Sequence, residues 1–110
     1  MTDATSVSEE EVDRAFNFLA ETDERVAQLI VAEKAQLHIA EESEKTAYLA
    51  AEGTVKERDC IAGLDPMFKK EFDKYLETQI ERRVLENQRK SAALCIDLWR
   101  TKEASRRLGG

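Results

Sequence analysis

Helix-breaking residues are scarce in this chain, and their positions constrain its fold more than any other feature. The 110 residues contain one proline, Pro66, and four glycines, two of which are the last two residues. Because proline and glycine interrupt helices most strongly, the stretches between them can stay helical without a break. The sequence therefore predicts an all-α fold that contains two long helices.

Capping signals set the predicted helix boundaries. Ser8, Thr54 and Asp65 each precede a helix-forming stretch and can accept a hydrogen bond from a backbone amide of the first turn. Pro66 suits the first position of a helix, where its missing amide hydrogen leaves no bond unmade. Thr22, followed by two acidic residues, predicts a further helix start. We expect one helical domain over 8–108 with helices over 9–20, 23–52, 54–62 and 66–106, a disordered segment 1–7 and a flexible tail 109–110.

The connection between the two long helices is short, which predicts that they run antiparallel as a hairpin. The short N-terminal helix would then lie beside the end of the last helix. This places Phe16 and Leu19 near Leu94, Leu98 and Trp99.

Five apolar residues of the last helix, from Phe68 to Val84, step by four residues, so their stripe rotates by about 40° at each step. One partner helix cannot cover such a stripe. We therefore expect a coiled-coil-like hairpin that assembles into a homo-oligomer, with a monomeric three-helix unit as the alternative. The predicted core or oligomer interface comprises Phe68, Phe72, Leu76, Ile80, Val84, Leu94, Leu98 and Trp99.

Charge is distributed unevenly along the chain, whose net charge is -6. Residues 1–53 carry 13 acidic and 4 basic side chains, whereas residues 54–110 carry 10 and 13. The negative total disfavours nucleic-acid binding over the whole surface, although a local basic patch could still bind. No apolar run reaches the roughly 18–20 residues that cross a membrane, so we expect a cytoplasmic protein without a membrane partner.

Residues that could carry catalysis are few. His38 is the only histidine, and Glu41 and Glu42 follow it closely. A dinuclear metal site in a helical bundle needs glutamates from four helices and two Glu-x-x-His pairs, which this chain lacks. Cys60 and Cys95 have no metal-ligand spacing, and no phosphate-binding loop or nucleophile elbow is present. The sequence predicts a protein that is not an enzyme and has no metal or cofactor.

Positive charge is concentrated in the last part of the chain. From residue 87 onward, only Asp97 and Glu103 oppose a basic set. Basic side chains in a last helical turn also interact favourably with the helix dipole, so the set has a structural interpretation beside a phosphate-binding one. Trp99 could stack on an unpaired base or belong to the core. The candidate nucleic-acid-binding residues are Arg89, Lys90, Arg100, Lys102, Arg106 and Arg107.

Four stretches of the chain resemble a group of small uncharacterised helical proteins encoded by tailed bacteriophages and prophages. They are the stretches FLAETDE at 18–24, EGTVKER at 52–58, RKSAALCIDLWR at 89–100 and ASRR at 104–107. The second helix is more acidic than the pattern of that group. The resemblance covers most of the chain and implies an accessory role in phage DNA recombination or replication.

Three hypotheses about function follow. The preferred one is a non-enzymatic, oligomeric interaction module that binds a phage or host protein. The second is an accessory factor that binds single-stranded DNA or DNA ends through the C-terminal basic residues. The third is an acidic inhibitor that imitates nucleic acid and blocks a host nucleic-acid enzyme or defence system.

Overall fold

A computed structural model describes residues 7–109, and every regular element within them is an α-helix. The first helix, α1, spans Glu9–Ala50, the second, α2, spans Val55–Gly63, and the third, α3, spans Pro66–Leu108. The prediction of an all-α fold with two long helices is confirmed. Residues 1–6 of the predicted disordered segment 1–7 lie outside the described residues. Gly110 of the predicted tail also lies outside them.

Side-chain caps begin all three helices where the sequence predicts. The hydroxyl of Ser8 accepts a hydrogen bond from the amide of Glu11 at 3.2 Å, and that of Thr54 accepts from Glu57 at 3.2 Å. The carboxylate of Asp65 accepts from the amide of Phe68 at 3.0 Å. These bonds satisfy amides that the first helical turn leaves without an intrahelical partner.

The predicted helix break at 21–22 is wrong, because α1 runs without interruption from Glu9 to Ala50. Thr22 does not cap a new helix. Its hydroxyl donates to the carbonyl of Phe18, one turn earlier, at 2.6 Å. Threonine and acidic residues only mildly disfavour a helix interior, and α1 contains no proline or glycine that would end it.

The described residues gather into two compact units, and both long helices contribute to each. The first unit comprises 7–26 and 84–109. Its core consists of Val12, Ala15 and Ile96, all buried. The half-buried side chains that pack against this core are Val7, Leu19, Ala92, Cys95 and Trp99.

The second unit comprises residues 27–83, and its buried positions are Leu29, Ala40 and Ala62. On α3, the rings of Phe68 and Phe72 lie 5.7 Å apart, and the ring of Tyr75 follows at 5.7 Å from that of Phe72. Small residues at two of the three buried positions allow backbones to approach closely but bury little apolar area.

Burial along α1 follows a seven-residue repeat in each unit. The buried and half-buried positions alternate between steps of three and four residues, which is the spacing of a coiled-coil seam. Several seam positions are polar, including Thr22, Glu33 and Gln36, so the pattern of apolar residues alone did not reveal the repeat. The seam positions are 12, 15, 19, 22 and 26 in the first unit and 29, 33, 36, 40, 43 and 47 in the second.

The turn from α1 to α2 depends on Gly53. Its φ is +118°, a conformation that residues with a side chain rarely adopt. A Cβ atom at this position would also meet the carboxylate of Glu57, the residue that pairs with the Thr54 cap. Glycine is therefore favoured here mainly by backbone geometry, because the flexible end of the Glu57 side chain can move away.

Candidate interaction surfaces

Two polar pairs join α1 to α3 in the second unit. Arg82 donates two hydrogen bonds to the carboxylate of Glu33, from Nε to Oε2 and from Nη2 to Oε1, the latter at 3.2 Å. Both side chains are largely buried, with 19% and 12% of their areas exposed. Gln36 donates to the carbonyl and the carboxylate of Glu71 at 2.9 and 2.8 Å. Such directional bonds fix which residues of the two helices lie side by side.

These bonds also change the acidity of the two carboxyl groups. The hydrogen bond from Arg82 lowers the pKa of Glu33 below its ordinary value of 4.5, against the opposing effect of burial. The hydrogen bond from Gln36 lowers the pKa of Glu71 in the same way. Both carboxyl groups therefore stay ionised at neutral pH and serve as acceptors.

Arg89 makes the corresponding contacts in the first unit. Its Nη1 donates to the carbonyl of Leu19 at 2.8 Å and to the hydroxyl of Thr22 at 2.6 Å, and its Nη2 donates to Asp23 at 3.3 Å. The sequence predicts Arg89 as a nucleic-acid-binding residue. The structure instead engages its guanidinium within the unit, so a phosphate would have to displace these bonds.

Arg58 of α2 contacts the C-terminal end of α1. Its Nε donates to the carbonyl of Tyr48 at 3.2 Å, and its guanidinium lies 4.5 Å from the centre of the Tyr48 ring. The last turn of α1 contains no basic residue of its own, so Arg58 supplies the positive charge that the helix dipole favours there.

The other candidate nucleic-acid-binding residues do not form one surface. Arg106 donates to Glu103 at 2.6 Å, one turn earlier on α3. Lys90, Arg100, Lys102 and Arg107 are exposed. At about 100° per residue, Arg100 and Arg107 share one side of α3, whereas Lys102 and Lys90 point elsewhere. The structure therefore divides the predicted patch over several sides of the helix.

The predicted interface residues fall into two groups. Phe68, Phe72 and Trp99 are half-buried, and Trp99 packs against the core of the first unit, in agreement with its structural interpretation. Leu19 packs against the same core as Trp99, whereas Leu94 and Leu98 are 61% and 50% exposed. The exposed members of the predicted interface are Leu76, Ile80, Val84, Leu94 and Leu98.

A surface of α3 in the second unit combines apolar and charged side chains. Leu76 and Ile80 are 38% and 62% exposed and lie one turn apart on the same side of the helix. Asp73, three residues before Leu76, and Arg83, three residues after Ile80, lie on the same side. Both are exposed. We call these four residues the α3 face.

Two open grooves of about 510 and 390 Å³ lie in the second unit. The larger is lined by Ile39, Glu42, Ser43, Thr46, Ala47, Ala50, Asp65 and Met67. The smaller is lined by Glu41, Glu44, Lys45, Tyr48, Asp59 and Ala62. Neither lining contains a histidine or a cysteine, and the polar side chains in both include carboxylates.

His38 and the two cysteines are the remaining side chains that could carry chemistry. His38 lies on the surface of α1, with Nε2 3.2 Å from Glu42, and both side chains are mostly exposed. Cys60 is exposed and Cys95 is half-buried, and both are free thiols. Among residues 7–109, no group of three or more histidine, cysteine or acidic side chains is placed to hold a metal ion.

Sequence reasoning did not identify the contacts of Glu33, Gln36 and Arg58. Each joins residues on different helices that are between 10 and 49 positions apart, whereas capping and periodicity concern residues within one or two turns. An antiparallel alignment of the two long helices that matches acidic with basic residues could have suggested the Glu33 and Arg82 pair. The geometry of the Tyr48 carbonyl has no equivalent signal in the sequence.

No family model, curated protein or solved structure matches this chain. Within the described residues, no helix is both long enough and apolar enough to pass through a membrane.

Proposed function

We propose that this chain is a non-enzymatic helical interaction module that works as a homo-oligomer and binds a phage or host protein. The observation that carries this proposal is the contrast between its thin interior and its apolar surface. Six hydrophobic residues in the described part of the chain are buried, three of them alanines, and no large side chain there is fully buried. Among residues 7–109, fifteen large hydrophobic side chains are exposed.

This contrast favours association because burial of apolar area is the main favourable term in folding and in binding. Isolated small domains bury a low fraction of their surface and have little stability to spare. Exposed apolar side chains beside a thin core mark surfaces that a second protein can cover. The surface offers contact area, and neither groove places a histidine or cysteine for catalysis.

An antiparallel hairpin is the arrangement we propose for the interacting surface. It is supported in the second unit by the order of the polar pairs, because Glu33 pairs with Arg82 while Gln36, further along α1, pairs with Glu71, earlier on α3. The accessory role in phage DNA recombination or replication rests on the resemblance of the four sequence stretches alone.

Light scattering and sedimentation equilibrium test the oligomeric part of the proposal. A monomer has a mass of 12.5 kDa, and we expect at least twice that value. A mass that stays at 12.5 kDa up to about 100 μM, where interfaces with micromolar Kd are occupied, would contradict it.

Affinity purification of the tagged chain from infected host cells tests the partner. We expect a phage or host protein to co-purify in stoichiometric amounts, and this association should persist after nuclease treatment. Recovery of nucleic acid without such a protein would instead favour the second candidate function.

That second candidate is binding of single-stranded DNA through the end of α3. The observation that favours it is the exposure of Arg100 and Arg107 on one side of the helix. Fluorescence anisotropy with a labelled oligonucleotide, measured over a range of salt, tests it. Replacing both arginines by alanine should reduce the slope of log K against log salt by about 1.4. A control double variant, Lys45→Ala with Lys56→Ala, should leave the slope unchanged. Equal slopes for the wild type and both double variants would exclude this candidate.

A further inference from the structure

We propose that the α3 face binds the same face of a second copy of this chain in antiparallel orientation, about a two-fold axis next to residue 78. This inference rests on the proposed homo-oligomer and names its interface. In this register Leu76 of one copy opposes Ile80 of the other, and Asp73 opposes Arg83. Each contact occurs twice, as the symmetry of a two-fold dimer requires.

Apolar burial supplies the centre of this interface. Leu76 and Ile80 are exposed in the described structure and lie one turn apart, so two copies bring four large apolar side chains together. Burying such side chains is favourable in proportion to the apolar area removed from water. The charged residues at either end form the polar rim that protein interfaces normally have.

Charge selects the antiparallel orientation and its register. A parallel arrangement opposes Asp73 to Asp73 and Arg83 to Arg83, which places like charges together. An antiparallel register centred on residue 76 opposes Lys69 to Arg83, again like charges. The register centred next to residue 78 is the one that opposes Leu76 to Ile80 and pairs opposite charges at both ends.

The two charges cannot pair within one chain. Asp73 and Arg83 are ten residues apart on the same helix, and ten residues of helix span about 15 Å. An ion pair needs a nitrogen and an oxygen within about 4 Å. Any direct coupling between these positions must therefore be intermolecular, which makes charge reversal a decisive test.

Sedimentation equilibrium of charge-reversed variants tests the interface. Asp73→Arg and Arg83→Asp should each raise the Kd of the homodimer about tenfold or more, because each puts like charges together at both ends. Added salt should reduce this increase by screening the repulsion. Mixing the two variants should restore association as a heterodimer, in which both ends again carry opposite charges.

Two controls accompany these variants. Asp59→Arg and Lys56→Asp make the same charge changes at exposed positions of α2 and should leave the Kd within about twofold. Circular dichroism should show equal helix content for all variants, because every substituted side chain is exposed. Ile80→Asp tests the apolar centre separately and should also raise the Kd about tenfold or more.

The possible results separate this inference from the proposed function. A wild-type chain that is monomeric at all concentrations contradicts both. A wild-type oligomer whose Kd is unaffected by the reversals overturns the α3 interface and leaves the interaction module standing. Variants that weaken association singly but do not associate when mixed overturn the antiparallel register.

Discussion

Arg89 shows how much one side chain contributes to the first unit. Its guanidinium donates to a backbone carbonyl, a hydroxyl and a carboxylate on α1, and only 20% of the side chain is exposed. The two bonds to Leu19 and Thr22 carry most of the effect, because Asp23 is 80% exposed and its ion pair is weakened by solvent. A planar group with several donors suits this arrangement better than an ammonium.

We predict that Arg89→Lys lowers the free energy of unfolding by about 1–3 kcal/mol, because one ammonium cannot satisfy the same set of acceptors. Urea denaturation measures this change. Lys90→Ala, at the exposed neighbouring position, should stay within about 0.5 kcal/mol of wild type. Equal stability of both variants would show that the Arg89 contacts do not hold the helices together.

Gly53 and Gly63 provide a matched pair of glycine substitutions. Gly53→Ala should destabilise the chain by about 1–3 kcal/mol, because φ is +118° and the new methyl group meets Glu57. Gly63, at the end of α2, has no positive φ, and no neighbouring atom lies within 4 Å of the place that a methyl group would take. Gly63→Ala should therefore be neutral or stabilising by up to about 1 kcal/mol. Thermal or urea unfolding distinguishes the two, and similar effects at both sites would refute the role of backbone geometry at Gly53.

At the scale of elements, Glu33 and Arg82 link the stability of the second unit to pH. The folded pKa of Glu33 lies below its ordinary value of 4.5, so the stabilisation it provides is present above that value and is lost as pH falls through the folded pKa. The unfolded chain binds the proton more readily, which is why acid favours unfolding.

Glu33→Gln should therefore be less stable than wild type at neutral pH, and the difference should shrink as the pH is lowered from about 6 to about 3. Urea denaturation at a series of pH values measures it. Glu42→Gln changes the same side chain in an exposed position beside His38 and should show a smaller difference from wild type. A constant difference between Glu33→Gln and wild type across this range would contradict the ionic origin of the effect.

The elements themselves were predictable to different degrees. The starts at Ser8, Thr54 and Asp65 could be read from the sequence, because a cap joins residues three positions apart. The continuity of α1 through Thr22 could not. Local propensity there is ambiguous, and the contacts of Thr22 with Phe18 and Arg89 favour the helical conformation.

At the scale of the whole molecule, the proposed association should be visible in thermal stability. If the native state is a homo-oligomer, mass action makes the Tm rise with protein concentration. We expect an increase over a hundredfold range of concentration, measured by circular dichroism or calorimetry. The Ile80→Asp variant should show less of this dependence, and a Tm of the wild type that does not change would indicate a monomer that unfolds alone.

Local sequence specifies the all-α class, the two long helices and their caps, because each of these depends on residues within a few turns of one another. Tertiary packing specifies which polar side chains lie between the helices and which apolar ones stay uncovered. Glu33 with Arg82 and Arg89 with Leu19 are pairs separated by 49 and 70 positions. Their contacts depend on the relative rotation and register of two helices, and those are set by packing over the whole length of each unit rather than by local propensity.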